Sequence, residues 1–150
     1  MHISARVDYA VRALVGLAAT DDGVTAEVLA TQQELPVRFL EGILRDLRRG
    51  GFVLSQRGAI GGYRLARPAS QITVAEVMRT LDGPLAEVRG ARPEQQTYEG
   101  SAAGLQDVWV AVRSSLRSVL DHVTIGQIAS GSLPTAVTRH TKDAAAWESR

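Results

Sequence analysis

Apolar residues recur at helical spacing at Ile3, Val7, Ala10, Val11, Leu14, Leu17 and Ala18. Ser4 is available as a cap and Asp21-Asp22-Gly23 as a stop, so the pattern predicts an amphipathic first helix. A second, short helix is expected from a Thr25 cap through Gln33, with Val28 and Leu29 facing inward. The turn Gln33-Glu34-Leu35 then leads into Pro36, a residue suited to the first position of a third helix. There Leu40, Ile43, Leu44 and Leu47 make an apolar stripe, while Arg38, Glu41, Arg45 and Arg48 follow 3-4-3 spacing on the opposite face. Gly50 and Gly51 end that helix. Phe52 to Gln56 and Tyr63 to Leu65 alternate weakly as strands, with the turn RGAIGG (57–62) between them. The predicted order is helix, helix, helix, wing.

Past Pro68, Thr73 and Glu76 have capping-box spacing before VMRTL, and Asp82-Gly83-Pro84 closes a fourth helix. From Glu87 to Gly104 the composition turns to Gly, Pro, Gln, Glu and Ser, which reads as a long mobile loop. Leu105, Trp109, Val112, Leu116, Val119 and Val123 then alternate by four and three residues, a seam suited to packing on another helix and hence to dimerisation. Thr124 and Gln127 give a second capping box for a helix to about Ser130, and the polar residues 131–150 read as a loosely held tail. The fold class expected is mainly α with a small β-wing. Its parts are a winged helix-turn-helix domain (1–83), a flexible sensor-type loop (84–104), a dimerisation helix with the short helix after it (105–131), and a polar tail (132–150).

Charge sharpens this picture. The 150 residues carry a net charge of +1, yet from Pro36 to Arg67 seven arginines (38, 45, 48, 49, 57, 64 and 67) face two acids, Glu41 and Asp46. That local excess of +5 leaves −4 for the remainder of the chain. A polarised molecule of this kind suits a surface presented to phosphates, and arginine is the side chain best fitted to bidentate contact with phosphate or guanine. Arg48 and Arg49 could simply complement the helix dipole, but their basic neighbours favour a phosphate-facing role.

Cysteine is absent, which excludes disulfides, thiolate-ligated zinc, iron–sulfur ligation by cysteine and a cysteine nucleophile. His2, His122 and His140 share no metal-ligand spacing, so no metal and no cofactor are expected. The glycines of GAIGG lack the Walker lysine, and no Ser/His/Asp set or carboxylate pair can be assembled into an enzyme site. No apolar run is long enough to span a bilayer, and charges interrupt what would have to be a signal peptide's core. A cytoplasmic protein with no membrane partner is the simplest expectation.

Several motifs together resemble the Rrf2 family of winged-helix transcription regulators, which includes iron–sulfur cluster and nitric-oxide sensors. They are YAVRAL (9–14), LPVRFLEGILRDLRRGGFVLSQRG (35–58), GGYRLARP (61–68) and ITVAEVMRTLDG (72–83), with weaker likeness in DVW (107–109) and VTIGQIAS (123–130). The resemblance implies a homodimer on a palindromic double-stranded DNA operator, with residues 36–49 in the major groove and the wing in the minor groove. By position, Arg38, Glu41, Gly42 and Arg45 would then face base edges or phosphates. Arg57, Gly58, Gly61, Gly62 and Tyr63 would approach the minor groove. Gly42 departs from the family pattern, in which a polar side chain often follows this Glu. Either the backbone comes close to DNA there or this member reads one base fewer, and the second reading is preferred.

The resemblance also places three cluster cysteines near Ala91, Thr97 and Ala103, none of which can ligate iron. Asp8 matches a position from which one branch draws a ligand, but a lone carboxylate makes no site, and an exposed ion-pairing role is the simpler reading. Trp109 reads as a dimer-core residue before a ligand-stacking one. Tyr9 suits either a phosphate contact or a partly buried interface.

The function expected is a homodimeric, sequence-specific DNA-binding regulator, a repressor, without an iron–sulfur cluster. Its control would come from a small molecule or partner protein held between the winged domain and the long helix, or from its own abundance. The alternative is a winged-helix interaction module that regulates a metabolic enzyme or another regulator by direct contact.

Overall fold

In the computed structural model, which describes residues 2–59 and 61–149, the first amphipathic pattern becomes α1, Ala5–Ala18. Met1, Arg150 and Ile60 of the RGAIGG turn lie outside the described residues. The Ser4 hydroxyl accepts a hydrogen bond from the Val7 N–H at 3.1 Å, partnering one of the donors that every helix start leaves free. Val7, Ala10, Ala13, Leu14 and Leu17 are buried, whereas Ile3 precedes the cap and is exposed, so it does not share their stripe.

Thr25 caps α2, Ala26–Gln33, whose inner face is Ala26, Leu29 and Ala30. Val28, expected inside, is 47% exposed, because inward positions at 26, 29 and 30 rotate residue 28 to the other side of the helix. Pro36 is the cap residue of α3, Val37–Arg49, rather than its first helical residue. Leu40, Ile43, Leu44 and Leu47 are the buried stripe of α3, and α1, α2 and α3 pack on one another through these faces.

Strands β1, Val53–Gln56, and β2, Gly62–Leu65, pair antiparallel with Val53 opposite Leu65 and Gln56 opposite Gly62. Val24 adds a third short rung: its N–H donates to Tyr63 O at 2.9 Å and its carbonyl accepts from Tyr63 N–H at 2.7 Å. The wing is thereby fixed to the segment before α2, a link between residues too far apart in sequence to be read from local pattern.

Both capping boxes form. Thr73 and Glu76 start α4, Val74–Asp82, and Thr124 and Gln127 start α6, Ile125–Ser130; between them runs α5, Leu105–Leu120. The starts of α4 and α6 are tied by Val74 N–H donating to Val123 O and Ile125 N–H donating to Ile72 O, each at 2.9 Å. Ile125 is fully buried and α6 lies on α1, so the short helix grouped with α5 by sequence belongs instead to the core of the winged region.

Two segments are more structured than their composition suggests. Residues 84–104 fold into 3-10 turns at Pro93–Gln95 and Gly100–Ala102, with Val88 bridged to Ala91. Leu85 and Pro93 are buried anchors, and Gln96 Nε2 donates to Val88 O at 2.9 Å, so polar side chains supply the hydrogen bonds that a regular ladder would otherwise supply. In the tail, α7, Thr135–Thr141, starts after Pro134 and is followed by a 3-10 turn at Ala144–Trp147. The Trp147 indole donates to Thr141 O at 2.9 Å, and α7 packs against α5.

Candidate nucleic-acid interface

Helix α3 buries its leucines and thereby turns Arg38, Glu41, Arg45, Arg48 and Arg49 to solvent. Among the described residues Arg38, Arg45 and Arg48 have no ion-pair partner, while Arg49 lies 3.6 Å from Asp46. Asp46 is drawn inward by a residue that the sequence did not single out: Arg6 of α1 donates to it at 2.6 Å and also donates to Leu81 O at 2.8 Å. The hydrogen bond from Arg6 leads the causes that hold the Asp46 carboxyl below its ordinary value, with the charges of Arg6, Arg49 and Arg45 adding to it against a partial opposing effect of burial. One guanidinium therefore joins α1, α3 and the end of α4 and engages one of the two acids on the recognition-like helix.

Gly42 sits among these side chains with nothing within 4 Å of a Cβ built on it. Packing inside the chain does not require glycine there. Phe39, also exposed, meets Tyr9 edge-to-face with ring centroids 5.5 Å apart, and Arg12 lies over the Tyr9 ring at 5.8 Å while donating to Gln33 O. Tyr9 thus braces α1 against α3.

Gly50 and Gly51 separate α3 from the wing, where Arg57 and Gly58 are exposed. The wing glycines have reasons internal to the fold. Gly62 has φ 130° and a Cβ there would stand 2.5 Å from the Val24 carbonyl carbon; at Gly61 it would stand 2.5 Å from Gln56 O. Tyr63, half-buried, spends its backbone groups on Val24 and packs its side chain against the core. Arg64 is exposed, but Arg67 turns away from the surface: it lies 5.4 Å from the Phe52 ring centroid, donates to Gln71 O and pairs with Glu76 at 3.2 Å. Burial pushes the Glu76 carboxyl up, and the hydrogen bonds from Thr73 together with Arg67 outweigh it, holding the group below its usual range.

Helix α5 does not present the seam as one face. Trp109, Val112 and Leu116 line a cleft against Met78, Leu85 and Pro93 of their own chain, with Val112 still 44% exposed, while Val108, which is not a seam position, is 51% exposed. Leu105 and Val119 are half-buried. Val123 lies beyond the helix, is 5% exposed and has its carbonyl bonded to Val74 N–H, so it is a residue of the chain's own interior. The Trp109 indole N–H is buried without an acceptor among the described residues, a condition that ordinarily costs about 1–3 kcal/mol.

Asp8 lies 3.9 Å from Arg12, an exposed pair one helical turn apart. Ala91 is engaged in the bridge to Val88, and Thr97 and Ala103 are exposed. None of these three supplies a sulfur or imidazole donor, and among the described residues no three His, Asp or Glu side chains converge on one point. No helix among the described residues is long and apolar enough to cross a membrane.

A family model described as Rrf2, iron-dependent transcriptional regulator, matches residues 3–131. A protein of Mycobacterium tuberculosis (strain H37Rv) named as an HTH-type transcriptional regulator is 45% identical over 151 residues, covering 99% of this chain and 94% of that protein. The HTH-type transcriptional regulator CymR of Bacillus subtilis is 30% identical over 132 residues, with 87% and 91% covered. The solved structure of CymR, the global cysteine regulator of B. subtilis, superposes with a TM-score of 0.75 at 28% identity over 87% of this chain and 98% of that one. The structure of T. potens IscR gives 0.71 at 30% identity, with 88% of each chain covered. The iron named in the family description has no matching donor set here: a cysteine-free chain with Ala91, Thr97 and Ala103 in the loop does not fit a thiolate-held cluster.

Proposed function

The chain belongs to the Rrf2 family of transcriptional regulators, and on that premise we propose that it acts as a homodimeric repressor that reads a palindromic DNA operator without an iron–sulfur cluster. The relatives are named as transcriptional regulators, not as enzymes. The observation that carries the reading is the outer face of α3, where Arg38, Arg45 and Arg48 are exposed without ion-pair partners among the described residues while Asp46 is drawn away by Arg6. A helix of this kind fits the major groove, where arginine pairs with guanine O6 and N7 and Glu41 can accept from a cytosine amine. Arg49 and the wing arginines then serve phosphates, and Arg57 reaches a minor groove whose negative potential is greatest where A·T tracts narrow it. The glycines at 58, 61 and 62 shape the wing, and Tyr63 anchors it through Val24.

Dimerisation is assigned to α5. Its exposed Val108 and Val112 lie four residues apart, and the half-buried Val119 continues them seven residues further on. A two-fold pairing of this stripe would set two winged domains on a two-fold site, with half-sites separated by about one helical turn, ~10 bp. Control then comes from a small molecule or a protein partner acting at the junction of the winged region and α5. Sequencing of the genomic DNA bound by the protein in its native host tests this reading. The expected result is an enriched inverted repeat upstream of a small set of genes; binding without an enriched motif, or to a single asymmetric half-site, contradicts it.

A further inference from the structure

At that junction the chain forms a cleft of ≈ 650 Å³, within the range of small-molecule sites, and the residues of the α3 face and wing take no part in its wall. Arg79 comes from α4, Arg92 and Glu94 from the 84–104 segment, Arg113 and Arg117 from α5, and Asp121 from the residue that caps it. Four guanidinium groups face two carboxylates. The carboxylates are already shared, since Arg79 donates to Asp121 Oδ1 at 2.7 Å, Arg117 to Oδ2 at 3.2 Å, and Arg113 pairs with Glu94. Arg92 has no ion-pair partner among the described residues. Like charges gathered from three elements repel one another, so the arrangement has a stored affinity for negative charge.

The same ion pairs are cross-links. Arg79 to Asp121 ties α4 to the end of α5, and Arg113 to Glu94 ties the 84–104 segment to the middle of α5. Burial pushes the Asp121 carboxyl up, but the hydrogen bonds and charges of Arg79 and Arg117 outweigh it and hold it below its usual range. A ligand entering here meets guanidinium donors already oriented for oxyanions, on two sides of the cleft.

We propose that this cleft binds a small polyanion carrying at least two carboxylate or phosphate groups, which competes with Asp121 and Glu94 for the arginines and so resets the junction between α4 and α5. A single small anion reaches one pair of guanidiniums; two linked groups span arginines from different elements. The regulatory consequence rests on the DNA-binding reading above, whereas the site itself rests on the cleft alone.

The test is calorimetric titration of the full chain without DNA, with citrate and pyrophosphate as probes at constant ionic strength set by chloride. At least one probe is expected to bind saturably at one equivalent per chain. Affinity is expected to fall tenfold or more in the double variant Arg92→Gln/Arg117→Gln and to hold in Arg45→Gln/Arg57→Gln, which removes charge from α3 and the wing. Citrate alone identifies carboxylate chemistry and pyrophosphate alone identifies phosphate chemistry; either supports the site. If the first double variant does not fold, as read by its circular dichroism melt, Arg92→Gln alone replaces it. No saturable binding of either probe overturns the proposal, as does binding that survives loss of the cleft arginines or disappears with those of α3 and the wing. A saturating probe is then expected to change operator affinity by on the order of tenfold. Unchanged operator affinity overturns the effector role, and failure to bind any operator refutes the DNA reading while the calorimetry still decides the site.

Discussion

At the scale of single residues, two arginines do opposite work. Arg57 is exposed on the wing, and Arg57→Ala should weaken DNA binding by about 1–3 kcal/mol, with the greatest loss on A·T-rich flanks, as measured by anisotropy titration on duplexes that differ only there. Equal loss on all duplexes would reduce it to a plain phosphate contact. Arg6, half-buried, bonds within its own chain, and Arg6→Ala should lower the stability of the free protein by about 1 kcal/mol in urea titrations, because Asp46 and Leu81 O lose their donor. The Asp46 carboxyl is held below its ordinary value of 3.8, so its stabilising contribution is complete above that value and is lost as pH falls through the lower folded value. Acid unfolding curves of Asp46→Asn should therefore be flatter than wild type below about pH 4 and should run parallel to it near neutrality. Gly42 offers a further test. With open space at its Cβ, Gly42→Ala should stabilise α3 by roughly 1 kcal/mol and raise the melting temperature by about 2–4 °C. On the reading that this member contacts one base fewer, operator affinity stays unchanged; a large loss would mean that the backbone approaches DNA at this point.

At the scale of elements, what local chemistry specifies was legible and what distant contacts specify was not. The stripe of α3, the caps at Ser4 and Thr25 and the boxes at Thr73 and Thr124 are each written within a few residues, and each formed. The pairing of Val24 with Tyr63, the Arg6 to Asp46 link and the return of α6 to α1 join residues far apart in sequence, and no periodicity announces them. Helix α7 leaves no signal in the sequence because it follows Pro134 with no side-chain cap and is short and polar. Val28 is exposed and Val123 interior, against the sequence expectation, because apolar identity gives no direction without the rotation of the helix or its end point. The wing supplies the sharpest element-level prediction. Gly62→Ala forces a Cβ into the Val24 backbone at positive φ, which should cost about 1–3 kcal/mol or more and weaken DNA binding while helical circular dichroism persists. On α5, Val108→Glu should convert a dimer to monomer in sedimentation equilibrium without loss of helix, because Val108 is exposed and outside the core of its own chain; an unshifted dimer would place the interface elsewhere.

At the scale of the whole molecule, a chain with a net charge of only +1 carries a local excess of +5 between Pro36 and Arg67, on one helix and one wing. Its affinity for DNA should then fall steeply with salt, each neutralised phosphate adding about 0.9 to the slope of log affinity against log salt. The chain has no cysteine for the iron chemistry that the family description names, while the exposed arginines of α3 and the wing are present. The measurement that tests the central claim most directly is an equilibrium titration of the full chain against the inverted repeat enriched in the genomic DNA it binds and against a scrambled duplex of the same composition, near 0.15 M salt. The account predicts a preference of about 10³-fold or more for the repeat, with two chains bound per site. Equal affinity for the two duplexes, or one chain per site, would contradict it.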